Sequence, residues 1–399
     1  MCDNVLVMRT LFFCGALASG EYLASFAPDW AGAWPFFAGC ALLVSLFGYG
    51  LAVRGWWVAS AFLLGAALFL AAEESEAERF REHPWMRGHV MRRTGGESRA
   101  ELVAENVRRD FAQRAALGLE RDKDCAGLSR AILLGERRRL PVRIKRLFVE
   151  SGTMHVFAIS GLHVMAIANV LKTLLAVVLV PRRLSDLLAL PLLWGYVMLI
   201  GAPPSAVRAA TMATFSGFAP LFWRESNGLR SWALTFALIH VLQPQLIVHV
   251  GNALSFAVML AVVVVGEVCR GRTRTYRALV TTLAAWAVGV PISAYVFGRV
   301  TPGGMLANLV LIGAAKLAVY LGASGLAISY VSESLARHLN NLEALAIRAM
   351  VTVADVVSRM PGANFETGKW PLSLCVAWYA VIALIAFLWI RRCRNRFFV

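Results

Sequence analysis

The sequence predicts an all-α, polytopic integral membrane protein: a helical bundle of about 10–12 transmembrane helices with a short extramembrane helical insert. Three observations predict this class. Apolar residues make up 58% of the 399 positions and charged residues 16%, well below the roughly 25% of a soluble domain. Apolar stretches near the roughly 20 residues that cross a bilayer recur along the chain. One long polar segment, residues 73–150, interrupts them.

The apolar stretches fall into three spans before the polar segment and eight after it. The first span is too long for a signal-peptide core and no clear cleavage site follows it, so we expect a retained helix. We divide the chain into amino-terminal transmembrane helices (1–72), a basic extramembrane insert placed in the periplasm (73–150) and a second transmembrane domain (151–399). The predicted spans are 5–27, 32–53, 56–72, 153–180, 185–201, 204–222, 229–247, 248–267, 278–298, 303–330 and 372–390.

Two further stretches predict helices of a more polar kind. The insert is rich in arginine and glutamate without strand-like alternation, and it favours helices at 98–118 and 124–135. The stretch 333–360 carries leucines at helical spacing with charges between them. It fits an interfacial helix, whereas a membrane crossing would place several charges in lipid unless they faced a cavity. Both interpretations stay open.

Short basic loops tend to stay cytoplasmic, which places the amino terminus inside and the insert outside. Eleven spans from an inside start leave the basic tail at 391–396 outside, although its charge also favours the cytoplasm. One span must therefore be misassigned or re-entrant. The two weak points are 153–180, which Gly161 interrupts, and 333–360.

The segment MHVFAISGLHV, Met154 to Val164, places polar groups where they are costly. At membrane depth such groups must pair or line a wet cavity, so each is a candidate functional residue. In a continuous helix, the two histidines, eight residues apart, would return to nearly the same face at about 100° per residue. We interpret four residues as lining a pore. The alternative is a packing glycine beside a serine bonded to its own backbone. The four residues are His155, Ser160, Gly161 and His163.

A second polar segment, GAPPSAVRAATM from Gly201 to Met212, carries Arg208 among small residues that let helices approach closely. A guanidinium does not readily lose its proton, so Arg208 must be solvated or paired. It contacts passing phosphates or locks the bundle through an acidic partner, and both interpretations stay open. Asn308 and Lys316 pose the same choice on a later helix. We assign structural pairing to Lys316 and include Asn308 in the candidate substrate path.

Taken in order, these segments resemble the Competence domain of the ComEC family of bacterial DNA-uptake channels. The resemblance starts at SRAILLGERRRLP (Ser129 to Pro141) and includes both polar segments. It continues through QPQLIVHVGNALSFAVML (Gln243 to Leu260) and VPISAYVFGRVTPGGMLANLVL (Val290 to Leu311). It implies a multi-pass channel of the bacterial inner (cytoplasmic) membrane that passes single-stranded DNA into the cytoplasm during natural transformation. It also identifies 151–399 as a Competence-type domain.

The sequence departs from the full-length family pattern, because little room exists for the OB-fold domain and no HxHxD-type cluster marks a metallo-β-lactamase-like domain. Seven cysteines without a CxxC pair suggest neither a disulfide framework nor a zinc site. We therefore expect no catalytic residues, no metal, no cofactor and no nuclease activity. The resemblance then implies a separate periplasmic DNA receptor and a separate nuclease. Because no Walker-type GxxxxGK[ST] loop occurs, a cytoplasmic ATP-driven helicase would supply energy. An oligomer stays open.

The net charge of +16 requires a partner or a membrane explanation. A basic cluster lies just before the first polar segment, where it would form the outer mouth of a pore and attract a polyanion. Alternatively, these side chains reach membrane lipid headgroups and set the depth of the next helix. The cluster, here called the basic mouth, consists of Arg137, Arg138, Arg139, Arg143, Lys145 and Arg146.

Aromatic side chains near these motifs would suit stacking on the bases of a single strand. Membrane proteins also use aromatic residues at interfaces and helix contacts, and we favour that packing or anchoring role for each of them. The residues concerned are Phe148, Phe157, Trp194, Tyr196 and Phe297.

Two other functional classes stay open. One is a transporter of a small solute or lipid that shares the helical core. The other is an intramembrane serine protease with Ser160 as nucleophile, which needs a base within hydrogen-bond reach. Because His163 is expected on the same helix as Ser160, His249 would be the remaining plausible base.

Overall fold

The computed structural model describes residues 99–137, 140–222 and 227–394. The predicted spans 5–27, 32–53 and 56–72 lie outside these residues. Within them the chain is helical apart from turns and one antiparallel pair of two-residue strands, β1 (Arg299–Val300) and β2 (Phe365–Glu366), which confirms the all-α class. The helices are α1 (Arg99–Arg114), α2 (Lys123–Leu134), α3 (Val142–Glu150), α4 (Gly161–Val177), α5 (Arg182–Leu199), α6 (Pro204–Phe218), α7 (Gly228–Leu242), α8 (Val250–Val268), α9 (Arg274–Phe297), α10 (Pro302–Ile328), α11 (Glu333–Ser358) and α12 (Leu372–Arg394).

The predicted helices agree with this arrangement at most positions. Each predicted span from 185–201 onward contains one helix, from α5 to α10 and α12, and the two insert helices correspond to α1 and α2. Among the described helices, α8, α9 and α10 are long and apolar enough to cross a membrane. The total number of spans, the divisions at 72 and 150 and the placement of α11 relative to a bilayer stay predictions.

The predicted span 153–180 is wrong as one continuous helix. Met154–Phe157 form a short 3-10 turn, and the backbone is extended at Ala158 (ψ 121°). Only at Gly161 does α4 begin. His155 and His163 therefore do not share a face of one helix, because the backbone between them is not α-helical.

The described residues fall into two compact units. The smaller contains α7, a 3-10 turn (Pro244–Val248) and the start of α8. Its centre is His240, a fully buried imidazole with Nδ1 2.8 Å from the Phe236 carbonyl oxygen and Nε2 3.0 Å from the Asn252 amide nitrogen. Asn252 also donates to the Leu246 carbonyl (2.9 Å). His240 and Asn252 thus satisfy each other's buried polar groups and fix the turn between α7 and α8.

In the larger unit, α10 and α11 pack antiparallel. Gly325 of α10 lies against Asn340 of α11, and Gly322 lies against Glu343. Near the other end of α10, a Cβ at Gly303 would come within 2.7 Å of Ala363 and 2.9 Å of Val357. Small residues at these positions allow the two backbones to approach closely.

The insert helices pack on this pair rather than standing apart from it. The Asn340 side-chain amide donates to the carbonyl oxygens of Arg114 (3.1 Å) and Leu117 (3.0 Å), at the end of α1. The guanidinium of Arg114 lies 4.0 Å from the ring centroid of Tyr330, just past α10. The corner between α1 and α2 is thereby fixed to the α10–α11 pair.

A proline inside α9 explains how α12 is attached. Pro291 has no N–H, so the carbonyl of Ala287, four residues earlier, has no helical partner. The indole of Trp378 on α12 donates to that carbonyl (3.0 Å), and the Tyr379 hydroxyl donates to the next one, Val288 (2.9 Å). Side chains of α12 therefore satisfy a backbone group that would be costly in lipid.

Large apolar side chains remain exposed along the outer faces of these helices. A soluble protein rarely exposes such extended apolar surface, whereas lipid is its natural environment. The described chain is accordingly a helical membrane protein. Examples are Leu279, Leu283, Leu306, Val310, Leu317, Val376, Val381, Leu384, Ile385 and Leu388.

Candidate functional site

The site is built around the interruption at the start of α4, here called the break and comprising residues 158–161. Ser160 is the N-cap of α4, with extended backbone (φ −105°, ψ 173°). Its N–H donates to Nδ1 of His163 (3.2 Å), and its hydroxyl lies 2.9 Å from the same nitrogen. This is a capping box in which a histidine replaces the usual glutamate or glutamine. The alternative to pore lining was a packing glycine beside a serine bonded to its own backbone; here the Ser160 hydroxyl instead contacts the His163 side chain, and pore lining stays a prediction.

The cap determines which nitrogen of His163 carries the proton. A backbone N–H can only donate, so Nδ1 must accept, and a neutral ring then holds its hydrogen on Nε2. The side chain is 2% exposed, and Nε2 has no hydrogen-bond partner among the described residues. The break therefore holds a buried N–H donor directed into the bundle.

Neighbouring helices close around the break. The Ser205 hydroxyl of α6 donates to the carbonyl of Ile159, which the interruption leaves without a helical partner. A Cβ at Gly161 would lie 3.0 Å from the terminal methyl of Met259 on α8 and 3.7 Å from Cβ of Ala209 on α6. Gly161 is thus both the first residue of α4 and a close contact among three helices.

His155, Asn308 and Arg137 converge on the same region. His155 interacts with the Asn308 side chain of α10, and both His155 and Arg137 lie near enough to His163 to act on it electrostatically. The His155 side chain is exposed to solvent, although protein atoms lie around it. The Asn308 carbonyl oxygen is buried without a hydrogen-bond partner among the described residues. The structure therefore brings four predicted path residues together: His155, Ser160, His163 and Asn308.

Arg208 and Lys316 have different surroundings. Arg208 is 7% exposed, lies next to Ala209 on α6, and makes an interaction within the fold. A buried, engaged guanidinium is consistent with the interpretation that it locks the bundle, while contact with a substrate stays a prediction. Lys316 lies 5.7 Å from the ring centroid of Tyr320, one turn further along α10.

The basic mouth divides into two parts. Arg137 is half-buried beside His163, and burial lowers its pKa. On α3, Arg143 pairs with Asp124 (3.1 Å) and Arg146 with Glu150 (2.6 Å), both at exposed positions, and Lys145 also makes an interaction. Arg138 and Arg139 lie outside the described residues. The acidic partners reduce the positive charge that α3 offers to a polyanion.

The nearby aromatic residues mostly pack. Phe148 and Phe157 are fully buried and meet edge to face at 4.5 Å, which fixes the 3-10 turn to α3. Trp194 and Tyr196 donate to Thr214 (3.1 Å) and the Leu133 carbonyl (2.8 Å), whereas Phe297 is 62% exposed. The packing role is confirmed for the two buried phenylalanines. In the described residues, no group of three or more His, Cys, Asp or Glu side chains is placed to hold a metal ion.

Sequence reasoning missed two features. It placed Ser160 and His163 on the same helix, which is wrong because Ser160 precedes the helix and its hydroxyl contacts the third helical residue, His163. The signal was present as a serine three residues before a residue with a side-chain acceptor. It also placed Glu343 among charges on an interfacial face, whereas this carboxyl is fully buried.

The fold and the break together define a helical membrane protein with uncharged and basic polar groups inside its bundle. The Competence protein family matches residues 132–392, which is well over half of the chain and includes the break and most of α12. The chain belongs to that family, as the sequence resemblance predicted. No solved structure matches it.

Three relatives extend this comparison. The chain is 25% identical over 240 residues to ComE operon protein 3 of Bacillus subtilis (strain 168), covering 58% of this chain and 31% of that protein. It is 29% identical over 205 residues to an uncharacterized protein of Aquifex aeolicus (strain VF5), covering 51% and 48%. It is 30% identical over 138 residues to the uncharacterized protein YcaI of Escherichia coli (strain K12), covering 33% and 18%. The alignments thus span less than half of each relative's length.

Proposed function

We propose that this protein is a multi-pass channel of the inner membrane that passes one strand of incoming DNA into the cytoplasm during natural transformation. The observation that carries the proposal is the match of the competence family to the segment that contains the polar break. The Bacillus subtilis relative is named as a protein of the ComE operon, and together with the family match it supports the same context here.

The chemistry of the break supports an anionic, extended substrate. Around the break lie the Nε2–H group of His163, which has no hydrogen-bond partner among the described residues, and the guanidinium of Arg137, which acts electrostatically on His163. A single strand is held chiefly through its phosphates and without sequence readout, so donors and positive potential meet its requirement. The exposed side chain of His155 and the half-buried side chain of Asn308 would make the first contacts with the DNA strand.

Transport in this scheme needs other proteins. We propose that a periplasmic receptor delivers the DNA, a separate nuclease degrades the second strand and a cytoplasmic helicase pulls the first. The basic mouth would guide the strand towards the break, and its outer arginines would also bind lipid headgroups. These assignments rest on the family and on the sequence motifs.

The contact between Ser160 and His163 also fits a serine protease. We favour the cap, because the same nitrogen of His163 accepts a backbone N–H and Nε2 has no acidic partner among the described residues. A serine nucleophile requires a base that is free to take its proton and is oriented by a third group.

The test is uptake of labelled DNA into the cytoplasm of a deletion strain complemented with wild type or Ser160→Ala, with membrane insertion checked in parallel. We expect deletion to abolish cytoplasmic entry while surface-bound DNA persists. Ser160→Ala should restore most entry, because losing the cap costs only about 1 kcal/mol. If deletion leaves entry unchanged, the channel proposal fails and a transporter of another solute becomes the better account. If Ser160→Ala is as inactive as the deletion although inserted, the serine has a chemical role.

A further inference from the structure

The α11 residue Glu343 is enclosed by protein and has no part in the break. It has 0% of its surface exposed, and neither carboxylate oxygen has a hydrogen-bond partner among the described residues. An ionised carboxylate in such surroundings is strongly unfavourable, so a group of this kind keeps its proton. Burial without a partner therefore favours the neutral, protonated form of Glu343.

Glycines of α10 create the space for this carboxyl. A Cβ at Gly322 would come within 2.7 Å of Oε1 and Cδ of Glu343, so any larger residue there would collide with the acid. One turn earlier on α11, the buried carbonyl oxygen of Asn340 lies against Gly325 and also has no hydrogen-bond partner among the described residues. From the third side, α2 supplies Ser129, whose hydroxyl donates to the Ala115 carbonyl (3.4 Å).

Charged groups on the surrounding elements do not neutralise Glu343. Arg130 of α2 donates to the Ala112 carbonyl (3.0 Å), Lys316 of α10 lies over Tyr320, and Arg348 of α11 pairs with Asp122 (2.9 Å). Arg114 at the end of α1 pairs with Asp110 (2.9 Å). The remaining titratable groups of these helices, and of α3, which also packs on α11, are Lys123, Asp124 and Cys125 of α2, Tyr320 of α10, Glu333, Arg337, His338 and Asp355 of α11, and Arg143, Lys145, Arg146 and Glu150 of α3. Burial is the main cause and raises the pKa of the Glu343 carboxyl to about 8; the Ser129 hydroxyl lies close enough to oppose this shift slightly, although it donates to the Ala115 carbonyl rather than to the carboxyl.

We propose that Glu343 is a proton-binding site that controls how tightly α2 is held against α10 and α11. With the proton bound, the neutral acid fits between the three helices. When the proton leaves, the carboxylate must reach water, and the contact with α2 opens. This proposal goes beyond the proposed function and does not depend on what the protein transports.

The geometry connects this site to the break. The helix α2 ends at Gly135, a left-handed residue (φ +73°) at which a Cβ would lie 3.0 Å from Cδ1 of Ile159. The carbonyl of Leu133, in the last turn of α2, accepts the Tyr196 hydroxyl of α5 (2.8 Å). A movement of α2 would therefore be transmitted to the residue next to Ser160.

Cys125 provides the readout. This thiol of α2 is 4% exposed, and burial raises its pKa to about 11, so it reacts only when α2 moves away. The experiment measures the alkylation rate of Cys125 by peptide mass spectrometry in the purified full-length protein, from pH 5.5 to pH 9. Wild type is compared with Glu343→Gln, which keeps the neutral shape, and with Glu333→Gln, an exposed acid of the same helix.

The sign of the effect follows from proton linkage. In the closed state, with α2 held against α10 and α11, the carboxyl keeps its proton up to about pH 8. In the open state, with the carboxyl in water, it loses the proton near its ordinary pKa of about 4.3. The fraction of open protein therefore increases as the pH rises from about 4.3 to about 8. The wild-type rate divided by the Glu343→Gln rate should rise about tenfold per pH unit and level off above about pH 8. The intrinsic pH dependence of the thiol cancels in this ratio, and Glu333→Gln should follow wild type.

A constant ratio across this pH range would overturn the proposal. So would a ratio that depends on sodium or potassium concentration at fixed pH, because the carboxyl would then hold a metal cation instead of a proton. If Glu343→Gln does not fold, the wild-type rate divided by the rate of the same cysteine in the denatured chain gives an equivalent test. None of these measurements involves DNA, so their outcome is independent of the outcome of the uptake experiment.

Discussion

Gly152→Ala is expected to destabilise the protein by about 2–4 kcal/mol, measured as thermal unfolding of the purified protein in detergent. Gly152 has φ +71°, where a side chain is strained, and a Cβ there would lie 2.6 Å from Cβ and Oγ1 of Thr301. Thr301 cannot easily move, because the Trp286 indole donates to its carbonyl (3.1 Å). The substitution would push apart the turn before the break and the start of α10.

The matched control is Gly127→Ala, in the interior of α2. A Cβ at Gly127 meets nothing within 4 Å, and alanine is the better helix former, so stability should stay equal or rise by up to about 1 kcal/mol. Equal effects of the two substitutions would contradict the close packing of Gly152 on Thr301.

Asn340→Ala is expected to cost about 2–4 kcal/mol, because it leaves two carbonyl oxygens without the donor that now satisfies them. Those carbonyls belong to Arg114 and Leu117, where α1 turns towards α2. Hydrogen exchange of α1 and α2 should increase more than that of α9 and α12, since the lost bonds attach only the insert helices to α11.

The neighbouring residue Asn341 supplies the control. It is exposed, unlike the fully buried Asn340, so Asn341→Ala should change stability by less than about 0.5 kcal/mol. If Asn340→Ala is as mild as Asn341→Ala, the insert helices are held by other contacts.

The helices could be predicted from the sequence because their signal is local. An apolar run of sufficient length defines a helix such as α9 or α10 whatever it packs against, and the insert helices showed no competing strand pattern. The interruption before α4 was harder to predict. Gly161 was recognised as a weak point, but nothing local showed that the chain is extended at Ala158.

Part of the candidate site could also be predicted, because part of its signal is local in sequence. His155, Ser160 and His163 lie in one short segment, so their chemistry was visible, and costly polar groups in an apolar run indicate function. Their contact with Asn308, about 150 residues later in the sequence, depends on tertiary packing. The burial of Glu343 could not be predicted, because the periodicity of α11 does not show that α2 and α10 both cover that side.

The central claim is that the incoming strand passes the break, and site-specific photo-cross-linking tests it most directly. A photoreactive amino acid is placed at position 155, which is exposed to solvent beside the break, or at Val177, which is 73% exposed at the far end of α4. Cells are illuminated during uptake of labelled DNA. We predict DNA adducts at position 155 and none at position 177. Absence of adducts at 155 in cells that still take up DNA would contradict the claim.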